Sequence, residues 1–129
     1  MKKAVLYIRT SEKNKIKNEI SIEKQKILCK KIAVERQLYI DKIFIDMDCS
    51  AKDLNRPQLQ EMFKYCCEDK NKIRAVIISS LDRLTRNLDD LIKKIFPLLK
   101  ENNIKLYCET VEADLVAVYG SGRELQTNG

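Results

Sequence analysis

Ser11 stands two residues after Arg9, at the end of a short apolar run, and three more arginines lie further along the chain at Arg56, Arg83 and Arg86. A serine hydroxyl beside several guanidiniums is a set suited to phosphoryl transfer. The hydroxyl can attack phosphorus and form a covalent phosphoseryl intermediate. Guanidiniums can hold the negative charge that accumulates on a pentacoordinate phosphorus, a role often taken by metal ions. Arg83 and Arg86 are three apart, so at a helix start they would share one face and could clamp a single phosphate. In the competing reading the arginines pair with Asp46, Asp48, Asp53 and Asp82 as an ordinary solvated surface.

Composition narrows the alternatives. The chain has 129 residues, 25 Lys and Arg against 19 Asp and Glu, five cysteines, three Gly and no His. Without histidine there is no Ser-His-Asp or Cys-His catalysis, no imidazole base and no His-ligated zinc. The cysteines are odd in number and none has CxxC spacing, so neither a disulfide framework nor a zinc site is expected, and reduced thiols in a cytoplasmic protein are. No metal and no cofactor is expected. All three Gly lie after residue 119, which leaves no GxGxxG or GxxxxGK[ST] cradle after the first strand and argues against dinucleotide and P-loop sites. No apolar run reaches the roughly 18 residues of a membrane span. The net charge of +6 is concentrated in residues 1–37, with 11 basic and 4 acidic side chains, and in residues 70–103, with 8 and 4. Such a surface suits a polyanion, or is simply a Lys-rich solvated face.

These residues need elements to position them. Ala4 to Ile8, Tyr39 to Ile45, Ala75 to Ile78 and Ile104 to Cys108 read as strands, the first and third being continuous apolar runs of the kind buried on both faces. Between them lie helical patterns. One spans 21–37, capped by Ser21, with a stripe of Leu28, Cys29, Ile32 and Ala33. A second starts at Pro57 and buries Leu59, Met62, Phe63 and Cys66. A third carries Leu88, Leu91, Ile92, Ile95 and Leu99, is kinked by Pro97 and stops at Asn102-Asn103. The order βαβαβαβ implies an α/β fold, a mainly parallel, Rossmann-like three-layer sheet with helices on both faces and right-handed connections. Sites in such sheets lie at the carboxyl ends of the strands. Three of those ends carry Arg9-Thr10-Ser11, Asp46 to Ser50, and Ser79 to Arg83.

At these residues the chain resembles the catalytic domain of the serine recombinases, the resolvase/invertase and large serine integrase family. The matching pieces are Tyr7-Ile8-Arg9-Thr10-Ser11, like Y-x-R-x-S; Ser21 to Gln25, like S-[IL]-x-x-Q; Asp46 to Ser50 followed by Asn55-Arg56-Pro57; and Leu81 to Arg86, like L-D-R-L-x-R. They occur in family order over residues 3–112. The resemblance implies a metal-free strand transferase acting on double-stranded DNA. Ser11 would attack a backbone phosphate, giving a 5′-phosphoserine link and a free 3′-hydroxyl, and exchange followed by reverse attack would religate the strands. It further implies that Arg9, Arg56, Arg83 and Arg86 hold the phosphate, that Gln25 and Asp82 position the reacting groups, and that Asp82 carries a proton to the leaving oxygen. Asp46 and Ser50 match as supporting residues, and family members work as dimers that pair into tetramers. Lys15 replaces a frequent Gln, and the longer stretch between Ser11 and Ser21 is more like the integrase or transposon-borne branches. Residues 1–112 are read as the catalytic domain and 113–129 as a disordered or truncated tail, so the chain is expected to be part of a longer protein and not to recombine DNA alone. Two alternatives stand beside this: a non-catalytic module that binds or regulates a recombinase, and a receiver-like phosphate-binding domain, which would want acidic residues where Arg9 to Ser11 stand.

Overall fold

The computed structural model describes residues 1–110 and 124–125. Its elements follow the apolar runs. Strand β1 spans Lys2–Arg9, helix α1 Lys15–Glu35, β2 Leu38–Asp46, α2 Pro57–Cys67, β3 Ile73–Ser80, α3 Leu81–Leu84, α4 Leu88–Asp90, α5 Phe96–Glu101, β4 Lys105–Thr110 and β5 Glu124–Leu125. The sheet order is β2-β1-β3-β4-β5. The first four strands are parallel, and β5 adds antiparallel to β4 through Leu106 and Tyr107. The parallel α/β sheet expected from the sequence is therefore the fold. The short β5 falls in the segment read as a disordered or truncated tail; the rest of 113–129 lies outside the described residues.

Ala4 through Ile8 are wholly buried because β1 is flanked by β2 and β3 and covered on both faces. Each such side chain contributes about 1.5–3 kcal/mol of burial for the larger residues. One face packs under α1, where Ala4, Leu6, Ile77 and Tyr107 meet Cys29, Ile32 and Ala33. The other face meets α2 and the 88–101 helical run through Val5, Tyr7, Val76 and Ile78. The chain runs from β1 to β2 on one side and then crosses to β3 on the other. A cleft therefore opens where the carboxyl ends of β1 and β3 diverge, the usual site position in this class of sheet.

Two helices differ from the sequence reading. The first begins at Lys15 rather than at Ser21: Asn14 is the cap, its Oδ1 accepting from the Lys17 N–H at 3.1 Å. The extra turns carry Ile16 and Ile20 on the solvent side, so no apolar stripe announced them, and Ser21 is a mid-helix residue. In the 88–101 run, Leu91, Ile95 and Leu99 are buried while Leu88 and Ile92 are exposed. Residues Leu91–Ile95 form a π turn, with the Phe96 N–H bonded to the Leu91 carbonyl. The wider turn takes up the break that Pro97 imposes and rotates Leu88 and Ile92 off the buried face. The stop at Asn102-Asn103 is as read, Asn103 adopting a left-handed φ of 56°.

All five cysteines are free. Burial pushes the Cys29, Cys66 and Cys108 thiols up to about 12 from an ordinary 9.0. At pH 8 iodoacetamide should therefore label the exposed Cys67 and the half-buried Cys49, leaving the other three until the chain is unfolded; intact-mass counting before and after denaturation checks this. The unfolded chain ionises its thiols from about pH 9, whereas the native chain does not until about 12. Their contribution to stability is thus complete below pH 9 and is lost as the pH rises toward 12.

Candidate active site

Arg9 ends β1 and turns inward, 1% exposed. Its guanidinium donates to three main-chain carbonyls: Cys49 at 2.6 Å, Asp82 at 3.2 Å and Arg83 at 3.2 Å. It thereby ties the loop after β2 to the turn after β3. Ser11, two residues on, lies past the strand end and is exposed, so the strand alternation that would put both side chains on one side does not reach it. Arg9 and Ser11 nevertheless share a cleft, and Thr10 between them is pinned to the end of β2 and the loop beyond it. The Thr10 N–H bonds the Asp46 carbonyl, its own carbonyl accepts from the Cys49 N–H, and its Oγ1 accepts from the Asp48 N–H.

Arg56 is as deeply placed, at 3% exposed. It donates to the carbonyls of Asp53, Arg83 and Leu84 and to the Tyr7 hydroxyl. The Tyr7 hydroxyl in turn donates a hydrogen bond to Asp46 Oδ2 at 2.8 Å. Asp46 also accepts from the N–H groups of Gln58 and Leu59, and its negative charge is well placed at the start of α2. Asp46 is thus the anchor that docks α2 on the strand ends. Burial pushes the Tyr7 phenol above its ordinary range against the pull of the Arg56 charge, and the hydrogen bond to Asp46 adds to the rise. Tyr7 and Thr10 belong to this network although chemistry alone did not single them out. Their signal was the Tyr7-Ile8-Arg9-Thr10-Ser11 match at the end of the first strand.

Gln25, 3% exposed on α1, grips the main chain of Arg9. Its Nε2 donates to the Arg9 carbonyl at 2.9 Å and to Ser21 Oγ at 3.1 Å, and its Oε1 accepts from the Arg9 N–H at 3.4 Å. Gln25→Glu should cost about as much stability as Gln25→Ala, on the order of 1–3 kcal/mol, because a carboxylate cannot replace the Nε2 donor. Urea unfolding of the two variants measures it, and a neutral Gln25→Glu would contradict the contact.

Arg83 lies in α3, but α3 is one turn long and Arg86 falls in the loop beyond it. Their proximity therefore comes from the loop and not from a shared helical face. Arg83 donates to the Arg9 carbonyl at 3.2 Å, and its buried Nε meets no acceptor among the described residues. Arg86 is exposed and pairs with Asp82 at 3.8 Å. Asp82 also accepts a hydrogen bond from Ser80 Oγ. The surface-pairing alternative thus describes Arg86, whereas Arg9 and Arg56 spend their donors on carbonyls. The four guanidiniums are close enough to act on one another. The Arg9 pKa is lowered by burial first and then by the charges of Arg83, Arg56 and Arg86.

Two clefts open beside Ser11. The first, of about 440 Å³, is lined by Arg9, Ser11, Lys13, Ser50, Lys52 and Arg86 among others. The second, of about 490 Å³, includes Ser11, Lys17, Lys24, Asp82, Arg83 and Arg86. Ser11 and Arg86 belong to both. Gln25, Asp46 and Arg56 line neither and lie behind the clefts as supports. Cys49 borders the first cleft, its thiol raised by burial and then by Asp46. Among the described residues no group of three or more Cys, Asp or Glu side chains could hold a metal ion, and no helix is long and apolar enough to cross a membrane.

Known proteins share this sequence pattern and fold. The family described as Resolvase, N terminal domain, matches residues 4–123. The Transposon Tn501 resolvase of Pseudomonas aeruginosa is 36% identical over 75 residues, which are 56% of this chain and 37% of that protein. The Transposons Tn1721 resolvase of Escherichia coli matches to the same extent. The chain thus spans little more than a third of the length of these relatives. Among solved structures, a resolvase family site-specific recombinase from Streptococcus pneumoniae superposes with a TM-score of 0.70 at 26% identity, covering 84% of this chain and 72% of that one. The N-terminal catalytic domain of TP901-1 integrase shares the fold with a TM-score of 0.73 at 24% identity, covering 83% and 77%. Serine, arginines, parallel sheet and matched sequence therefore lead to one assignment: the chain belongs to the resolvase N-terminal domain family.

Proposed function

We propose that this chain is the catalytic domain of a site-specific DNA recombinase whose nucleophile is Ser11. The observation that carries the reading is the exposed Ser11 hydroxyl at the junction of two cationic clefts, with Arg86 shared between them and Arg9 and Arg83 at their walls. The Ser11 oxygen bonds to phosphorus as the bond to the 3′-oxygen breaks. The proton lost by serine is balanced by one gained at the leaving oxygen, and Asp82, in the second cleft, is the group placed to carry it. Arg83 and Arg86 face the clefts and meet the phosphate charge. Arg9 and Arg56 act from beneath, holding the loops that carry the other groups. Gln25 fixes the strand end, Asp46 docks α2, and Ser50 offers a second hydroxyl in the wall of the first cleft. Strand exchange then reverses the attack and reseals the backbone.

The partners in this reading are double-stranded DNA and further copies of the protein, a homodimer pairing to a tetramer. The free thiols suit a cytoplasmic setting. The test is to trap the covalent complex. A pool of random-sequence duplexes carrying nicks, so that a freed 3′-strand can dissociate, should yield an adduct that survives detergent and maps by mass spectrometry to a nucleotide-bearing Ser11 peptide. An adduct mapped to another residue, or none at any duplex concentration, would sink the proposal. The interaction-module alternative predicts that second result.

A further inference from the structure

The second cleft spreads its positive charge well beyond the two arginines beside Ser11. Four cationic side chains, Lys17, Lys24, Arg83 and Arg86, face it against the two carboxylates of Glu12 and Asp82. Lys17 and Lys24 come from one face of α1, seven residues apart, with Ile20 and Ser21 between them in the same wall. They thus extend the charge along about 10 Å of helix at 1.5 Å per residue, more than the span of one phosphate group. The first turn of α1 contains no acidic residue and places Lys15 and Lys17 at the positive end of the helix. Those charges oppose the helix dipole and would be relieved by an anion.

We propose that this cleft is a backbone track. Lys17 and Lys24 engage DNA phosphates neighbouring the scissile one, while Ser11, Arg83 and Arg86 attend to the scissile phosphate itself. The inference rests on the recombinase reading and adds a substrate-holding surface on α1 to it. The track reads charge and spacing and no base edge, so it contributes affinity and alignment but no sequence choice.

The experiment measures binding of a fluorescent duplex to the full 129-residue chain across a salt series, for three proteins: wild type, Lys17→Gln/Lys24→Gln and Lys30→Gln/Lys31→Gln. The last pair lies exposed further along α1 and removes the same charge. Each phosphate contact contributes about 0.9 to the slope of log affinity against log salt. The track pair should therefore reduce the slope by about two, and the outer pair should leave it unchanged. Equal shifts from both pairs, or no shift from the track pair, overturn the inference. Failure of the parent reading is separable, because Ser11→Ala must keep the wild-type slope. If the track slope behaves as expected while no adduct ever forms, the nucleophile assignment falls and the track stands. A wild type that binds no duplex at low salt overturns both.

Discussion

Replacing Ser11 with alanine should reduce adduct formation by at least about 10⁴-fold, the scale on which removing a nucleophile collapses covalent catalysis. Binding and folding should hardly change. Ser11 is exposed, beyond the end of β1, and a surface truncation of this kind ordinarily shifts stability by no more than about 0.5 kcal/mol. The control that matters is Ser50, the other hydroxyl in the first cleft. If Ser11→Ala still traps an adduct and Ser50→Ala does not, the two residues must exchange roles. The chain has no histidine, so no imidazole is at hand to take the serine proton. The surrounding guanidiniums then matter twice, by stabilising serine oxyanion character and by stabilising charge on phosphorus.

The second large effect is expected at Arg56, and it is an effect on folding. Arg56→Met leaves the carbonyls of Asp53 and Leu84 without the Arg56 donor, leaves the Arg83 carbonyl to Arg9 alone, and removes the cation bonded to Tyr7, which itself bonds Asp46. Breaking a buried charged network by deleting one member costs about 3–5 kcal/mol. For a domain of this size that is a fall in Tm on the order of 10–20 °C. Arg56→Lys should recover little, since one ammonium cannot reproduce the planar fork that reaches several carbonyls. Scanning calorimetry of both variants decides between two roles. A wild-type Tm with lost adduct would show that Arg56 serves the phosphate directly, whereas a collapsed Tm supports its role as the bolt between the β2 loop and the β3 turn.

Much of the architecture was legible because its signals are local. A run such as Ala4 to Ile8 has few uses except as a strand buried on both faces, and Pro57 marks a helix start through its own fixed dihedral. Helix boundaries were less legible where tertiary burial was absent. The first turns of α1 expose Ile16 and Ile20, so they show no apolar stripe, and the π turn at Leu91–Ile95 depends on backbone bonds that side-chain spacing does not encode.

The site divides in the same way. Sequence alone determined which residue types meet at the strand ends: one hydroxyl, several guanidiniums and no imidazole, in an order matching a known family. Tertiary structure decided what each guanidinium does. Arg9 and Arg56 look the same in the sequence as Arg83 and Arg86, yet the first pair is buried and its donors go largely to carbonyls 27 to 74 residues away, Arg56 also reaching Asp53 close by. Arg83 and Arg86 line the clefts, with only Arg9 of the buried pair at a cleft wall. Asp46, equally, is a helix anchor because α2 docks on it. A buried charge must take whatever partners the packing brings within about 3 Å. Those partners are set by long-range contacts that no local pattern records.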